Sequence, residues 1–281
     1  AITVIVLVVI VLYKLGLFNA GLFSPKQSAG QCLIYRPNGP NTTHFTQFIG
    51  NCNTGIPMYV GSSSGVGSNV AISTSGFLQP AAYSLSIWVE VPLSSTCLTG
   101  CALTFVNDSN GAVIIKGKTA AQTSQQLEFD FVATTSGGTT TLSGGGTGTG
   151  RFHSGQWYNL GITYNPASSN QTGWINGTPY STSSSVVGLL YGSSNLVIGG
   201  SSAAGGQVLL SNFQMYNTSL SANDMKELYM NGIGGPPVQL NNLVAWLPLN
   251  RDTADYSGDA LHATASKFTY TTNWQQYYAT P

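Results

Sequence analysis

Apolar positions along the chain keep two different rhythms. From Ala1 to Tyr13 there is no charge and one hydroxyl side chain, Thr3, so a helix built there is apolar on every face and must be buried all round. Lys14 interrupts the run and residues 15–23 extend it. The whole reaches the roughly 20 apolar residues of a spanning helix if Lys14 snorkels to an interface. Gly21, Ser24-Pro25 and Gly30 then break it, making 24–30 a neck. From residue 31 onward, short apolar runs alternate with turn-rich stretches, the pattern of an all-β sandwich.

The clearest strand is 83–91, which alternates strictly and puts Leu85, Ile87, Val89 and Val91 on one face. Further strands are predicted over 102–106, 112–116, 127–133, 157–164, 173–175 and 196–198. The Gly-rich stretch 143–150 is too flexible to be a strand. One helix is expected in the β region, over 219–230, with a Ser cap, Asp224 in its early turns and an Asn231-Gly232 stop. The expected organisation is mainly β: a hydrophobic helix over 1–23, the neck, and one sandwich over 31–281.

Composition narrows the function. Nine basic and nine acidic residues leave no net charge, which argues against nucleic acid as a partner. With so few titratable groups, the fold is expected to be insensitive to pH. Four cysteines predict two disulfides in an oxidising compartment, paired by proximity as Cys32 with Cys52 and Cys97 with Cys101. A zinc site fits less well, because no neighbouring His completes a structural set. Sequons at Asn41, Asn107, Asn170, Asn176 and Asn217 add the expectation of a glycosylated extracellular face, with Asn41 foremost on its Pro-rich turn.

Signals for catalysis are incomplete. Residues 61–65 match the Gly-x-Ser-x-Gly nucleophile elbow around Ser63, but no helix pattern follows. Gly117-Lys118-Thr119 looks like the end of a phosphate loop, yet the required upstream glycine is Ala112. His44, His153 and His262 lie far apart in turn-like contexts. Asp252, Asp255 and Asp259 cluster oxygens of the kind calcium needs; capping of the turn through Asx-type bonds is the preferred reading. Trp174 and Tyr180 would stack on sugar rings if exposed, and otherwise belong to the core.

The apolar segment admits four readings. A signal-peptide core would be preceded by basic residues, and the sequence begins at Ala1 without them. A membrane anchor and a strand donated to a neighbouring subunit are two more. The fourth is a helix in a bundle of identical helices. Residues 9–19 (VIVLYKLGLFN), followed at a short distance by Gln31-Cys32, resemble the hydrophobic helix and neck of archaeal type IV pilin-like proteins. The resemblance covers about the first 32 residues. It implies a helix that sits in the membrane before assembly and then packs into a filament core through Ile2, Val4, Ile5, Val8, Val9, Leu12 and Leu15. It departs from the family in lacking a Glu near the start, since no acidic residue precedes Glu90.

A second resemblance rests on five motifs in order: 85–89 (LSIWV), 156–164 (QWYNLGITY), 173–177 (GWING), 196–200 (LVIGG) and 210–221 (LSNFQMYNTSLS). Together they are similar to laminin-G-like, concanavalin A-type domains across roughly 60–232. This implies a two-sheet jelly roll that binds carbohydrate or protein, often with calcium. Residues 243–262 look like that family's opening strand and turn but follow the helix, so 240–281 is expected to supply a permuted strand to the same sandwich. Some relatives are retaining glycosidases with a Glu-x-Asp-x-x-Glu strand. Here Glu128 and Asp130 supply two members and Ala133 stands at the third, so no acid/nucleophile pair forms.

These readings converge on a non-enzymatic structural subunit of an archaeal pilus-like extracellular filament. It would self-assemble through its first helix, display a sandwich for adhesion and require no cofactor beyond the calcium considered above. The alternative is a membrane-anchored, lectin-like surface protein that binds glycans.

Overall fold

The computed structural model describes residues 31–37, 45–51, 60–64, 67–73, 81–92, 102–108, 113–119, 126–135, 138–143, 152–184, 195–199, 207–261 and 263–271. The expected helix over 1–23, with its core residues, and the neck lie outside them. Contacts divide the chain into two units, Ala1–Leu33 with Ile49–Met58, and Ile34–Phe48 with Tyr59–Pro281.

Strands β1 (Gln31–Pro37) and β2 (Phe45–Asn51) pair as a sheet of their own. The sandwich follows: β3 (Val60–Ser64), β4 (Asn69–Ile72), β5 (Tyr83–Glu90), β6 (Ala102–Asp108), β7 (Val113–Thr119), β8 (Gln126–Thr135), β9 (Gly138–Ser143), β10 (Phe152–His153), β11 (Trp157–Asn165), β12 (Asn170–Ile175), β13 (Thr178–Ser183), β14 (Leu196–Ile198) and β15 (Gln207–Tyr216). After helix α1 (Ala222–Met230) and a 3-10 turn (Leu240–Asn242) come β16 (Leu243–Leu247), β17 (Ala263–Ser266) and β18 (Thr269–Thr271).

One sheet runs β13-β12-β11-β5-β15-β3-β18, with β16 also on β15; the other runs β10-β8-β7-β6-β14-β4-β17, with β9 on β8. Pairing within both is antiparallel. A register shift between Ser211 and Gln214, with Asn212 at φ 53, bends β15. Its first half therefore pairs with β3 and its second half with β16. The expected strand 196–198 coincides with β14, while 173–175 is the apolar end of a longer β12. Asn170–Thr172 carry no apolar signal, yet their backbone pairs with β11 on one side and β13 on the other.

The core lies between the sheets. Tyr83, Leu85, Ile87 and Val89 of β5 and Leu160 and Ile162 of β11 meet Val70 and Ile72 of β4, Phe129 and Phe131 of β8, and Leu196 and Ile198 of β14. Phe129 meets Tyr158 edge-on at 5.3 Å. Gly173 leaves room for the Phe131 ring, which a Cβ there would strike.

The opposite face of the first sheet is also covered. Strand β5 is buried at every position: Tyr229 of α1 covers Trp88, and the 218–220 segment leading into α1 bonds Ser84. Met225 of α1 packs on Gly161, where a Cβ would collide with it. Tyr229 stacks on Trp88 at 5.7 Å. Polar bonds fasten the segment after the helix: Ser211 Oγ donates to the Ile233 carbonyl (3.3 Å), Asn212 Nδ2 to the Gly235 carbonyl (2.9 Å), and the Val238 N–H to Tyr216 Oη (3.1 Å). The helix begins later than expected, at Ala222. Its cap is Ser221, whose Oγ accepts from the Asp224 N–H while Asp224 Oδ2 accepts from the Ser221 N–H, a reciprocal capping box. Burial pushes the Asp224 carboxyl up, and the bonds from Ser221 and Gln239 more than offset it, leaving it below its ordinary value.

Candidate functional site

The loop between β16 and β17 gathers the chain's least ordinary local chemistry. Leu249, Arg251 and Ala260 all have left-handed φ (57, 74 and 58°), as does Lys267 just before β18 (49°). Side chains other than glycine take up this region at a cost, and such residues concentrate at functional sites. Asp255 organises the loop. It is 1% exposed, and its Oδ1 accepts from the N–H groups of Trp246 (2.8 Å) and Ser257 (2.9 Å). Its Oδ2 accepts from Ser257 Oγ (2.8 Å) and the Leu261 N–H (2.8 Å). Four donors satisfy a buried carboxylate and lock the turn onto β16.

Near this hub Tyr256, Phe268 and Tyr270 are half-buried, while Trp246 is fully buried. Asp252 Oδ1 caps the Ala254 N–H (3.2 Å), and its Oδ2 accepts from Tyr256 Oη (2.8 Å). Tyr256 packs edge-on against Trp246, and Phe268 edge-on against Tyr270 at 5.6 Å. Burial, and secondarily the Asp252 charge, push the Tyr270 hydroxyl up to about 12. Phenol rings with a carboxylate in their midst can stack on the C–H face of a sugar while accepting bonds from its hydroxyls.

The three carboxylates considered for calcium take single roles. Asp255 is filled by its own loop, Asp252 caps the turn and holds Tyr256, and Asp259 is exposed, its carboxyl raised by burial and then by Asp255. Among the described residues no group of three or more metal-ligating side chains forms. The Asx-type bonding is the arrangement the structure displays, with Asp255 at its centre.

Other anticipated residues fall as follows. Trp174 is 6% exposed and donates Nε1–H to Thr163 Oγ1 (2.9 Å), so it is a roofed structural residue and not a free stacking platform; Tyr180 is half-buried against the core. Ser63 Oγ donates to the Ser68 carbonyl, and the hairpin to β4 follows in place of the helix an elbow needs. In β8, Glu128 and Asp130 stand in register with Lys118 and Lys116 of β7. His153 lies in β10; His44 and His262 lie outside the described residues. Cys32 falls in β1, while Cys52, Cys97 and Cys101, like Asn41, lie outside them. Asn107 occupies β6 in register with Ile114 and Val197. Asn170 opens β12, Asn176 forms the turn to β13, and Asn217 is exposed after β15.

One group escaped sequence reasoning. Glu90 ends β5 on its roofed face, 5% exposed, opposite Trp157 of β11 and Leu209 of β15. Its Oε2 has no hydrogen-bond partner among the described residues, and desolvation raises its carboxyl from 4.5 to about 7. The small number of charges in the chain suggested indifference to pH, and Glu90 is the buried carboxyl against which that expectation can be tested. An acidic residue at a roofed position of an otherwise apolar and hydroxylic strand was the available signal.

A family model described as the concanavalin A-like lectin/glucanases superfamily matches residues 63–226. No curated protein matches the chain. Among solved structures the chain is similar to a "putative carbohydrate binding protein" from Bacteroides ovatus, at 13% identity and a TM-score of 0.55, over 82% of this chain and 64% of that one. It is also similar to a heptameric SAP-like pentraxin of Limulus polyphemus (12%, 0.49, 82% and 100%) and to the receptor binding domain of botulinum neurotoxin D (15%, 0.46, 72% and 52%). The chain thus spans about half of the toxin domain and under two thirds of the Bacteroides protein. At these identities the likeness concerns the fold.

Proposed function

The chain belongs to the concanavalin A-like lectin/glucanases superfamily, and from that premise we propose that it is the subunit of a pilus-like extracellular filament carrying this sandwich as an adhesive module. The observation that carries the proposal is the run from Ala1 to Tyr13, apolar on every face as a helix, ahead of a stretch rich in Ser, Thr, Gly and Asn and poor in charge. Such a helix needs a cover, and neighbouring copies of itself supply one. At about 25 cal/mol per Å² of apolar surface removed from water, the packed bundle drives assembly. The membrane holds the helix before that step. The cysteines and sequons fit the same placement outside the cell.

The module binds and does not hydrolyse. A retaining glycosidase needs two carboxyl groups about 5 Å apart, and at the third position of the Glu128 strand stands Ala133. Neither cofactor nor calcium is required, since Asp255 is held by its own loop. The ligand is a glycan, taken by Tyr256 and Tyr270 with Asp252 between them.

Electron microscopy of material sheared from cells, with mass spectrometry of the filaments, tests the polymer. Filaments built from this chain support it; recovery only from detergent-extracted membrane refutes it. That outcome favours the second reading, a membrane-anchored lectin-like surface protein. The ring-and-carboxylate group supports both, so glycan-array binding that Tyr270→Ala abolishes belongs to either.

A further inference from the structure

We infer that Asn217 is an N-glycan acceptor on the folded domain, that Asn176 is not, and that the Asn217 sugar covers the bare side chain of Leu240. The inference rests on the extracellular placement proposed above. Three sequons, those of Asn170, Asn176 and Asn217, fall wholly within the described residues, and the fold treats each differently.

The Asn170 sequon runs straight into a sheet. Gln171 is fully buried and accepts from Tyr83 Oη (2.8 Å), and the Thr172 hydroxyl is bonded to that of Thr182 across the strand pair (3.1 Å). A transferase needs the sequon pulled into an accessible bend, which these bonds oppose. Asn176 is worse placed. Its φ is 51°, it is 8% exposed, and its Oδ1 accepts from the Asn159 N–H at 2.9 Å. Gly177 beside it lies so near α1 that a Cβ would come 2.8 Å from the Lys226 Cα. A sugar on Asn176 would have to pass through the packed contact between turn and helix.

Asn217 is open on its side-chain side and fixed on its backbone side. It is exposed, it lies just beyond the last paired residue of β15, and its N–H donates to the Asn242 carbonyl (2.9 Å). The next carbonyl, that of Thr218, accepts from Ser84 Oγ (2.8 Å), which in turn accepts from the Leu220 N–H (2.8 Å). The sequon is therefore held in an irregular bend with its side chain in water. Leu240 begins the 3-10 turn that ends at Asn242, the residue bonded to Asn217, and it is 40% exposed. A sugar leaving Asn217 lies beside it.

The step uses a phosphate-linked oligosaccharide donor. Asn217 Nδ2 attacks the anomeric carbon, the bond from that carbon to the phosphate oxygen breaks, and the phosphate leaves with the electron pair. The nitrogen gives one proton to a base of the transferase, and nothing is oxidised or reduced.

Glycopeptide mass spectrometry of the full chain from its native cells tests this, alongside Asn217→Gln. The expected result is sugar on the Asn217 peptide and an unmodified Asn176 peptide. In Asn217→Gln, binding of a hydrophobic dye should rise by about the contribution of one exposed leucine, and Leu240→Ser added to it should return the signal to the parent level. An unmodified Asn217 with sugar on another sequon overturns the inference alone. Sugar on no sequon overturns it together with the extracellular placement. Sugar on Asn176 refutes the geometric argument, and a dye signal unmoved by Leu240→Ser refutes the role of Leu240.

Discussion

Replacing Glu90 by Gln tests the electrostatics of the sandwich directly. In the folded chain its carboxyl is 5% exposed and holds its proton up to about pH 7, whereas an ordinary Glu releases it near 4.5. Between those values the unfolded chain binds fewer protons than the folded one, so stability is full below about pH 4.5 and falls as pH rises toward 7. At ~1.4 kcal/mol for each pKa unit, the loss between pH 4 and pH 8 is about 3 kcal/mol. Glutamine keeps the shape and removes the ionisation, so Glu90→Gln should match the parent at pH 4 and exceed it by about 3 kcal/mol at pH 8. For a domain of this size that is on the order of 6–12 °C in melting temperature. Urea titrations at pH 4, 5, 6, 7 and 8, followed by tryptophan fluorescence, measure the difference. Parallel stability curves for the two proteins would show that Glu90 ionises in the folded chain as it does in water, and the reasoning would be wrong.

Gly177→Ala should destabilise by roughly 2 kcal/mol or more in the same titration, because φ is +70° and the new methyl meets the backbone of α1; an unchanged midpoint would contradict the close approach. Asp255→Ala leaves the buried N–H groups of Trp246 and Ser257 without their acceptor and should cost about 3–5 kcal/mol. The parent protein should melt at the same temperature with and without a calcium chelator, and a fall of several degrees would restore the cation site. Removing 240–281 strips β16 and β18 from one sheet and β17 from the other. The shortened chain should lose its near-ultraviolet circular dichroism, and retention of a cooperative melt would refute the intramolecular pairing.

Local signals in the sequence reported local structure well. Leu85, Ile87 and Val89 are the inner face of β5, Val91 joins the same core just past its end, and the Asp224 and Asn231-Gly232 punctuation brackets α1. The motifs of the laminin-G-like resemblance lie across the span that the family match covers. What the sequence concealed is non-local. Ser84, Ser86, Trp88 and Glu90 alternate as a solvent face would, yet all four are buried, with Trp88 under Tyr229 and Ser84 bonded to the 218–220 segment, and no period along β5 can encode that. Trp174 is buried on the side of Gly161 where Met225 also lies. The Asp252, Asp255 and Asp259 spacing suits a cation and a capped turn equally well; only the positions of the Trp246 and Leu261 N–H groups distinguish them.

The pairing of β3 has a consequence for biosynthesis. Ser64 meets Gln207 and Val60 meets Thr271, so this early strand has no partner on either side until most of the chain exists. At about 5–20 residues per second, the interval from Ser64 to Gln207 alone lasts on the order of 10 s. During that time nascent β3 and β5 present unpaired edges, and the closing strands β17 and β18 arrive last, one to each sheet. The serine-rich Val60–Ser64 segment suits that wait, since hydroxyls keep an unpaired edge hydrated where Val or Ile would invite aggregation. Closure of both sheets therefore waits on the arrival of β17 and β18.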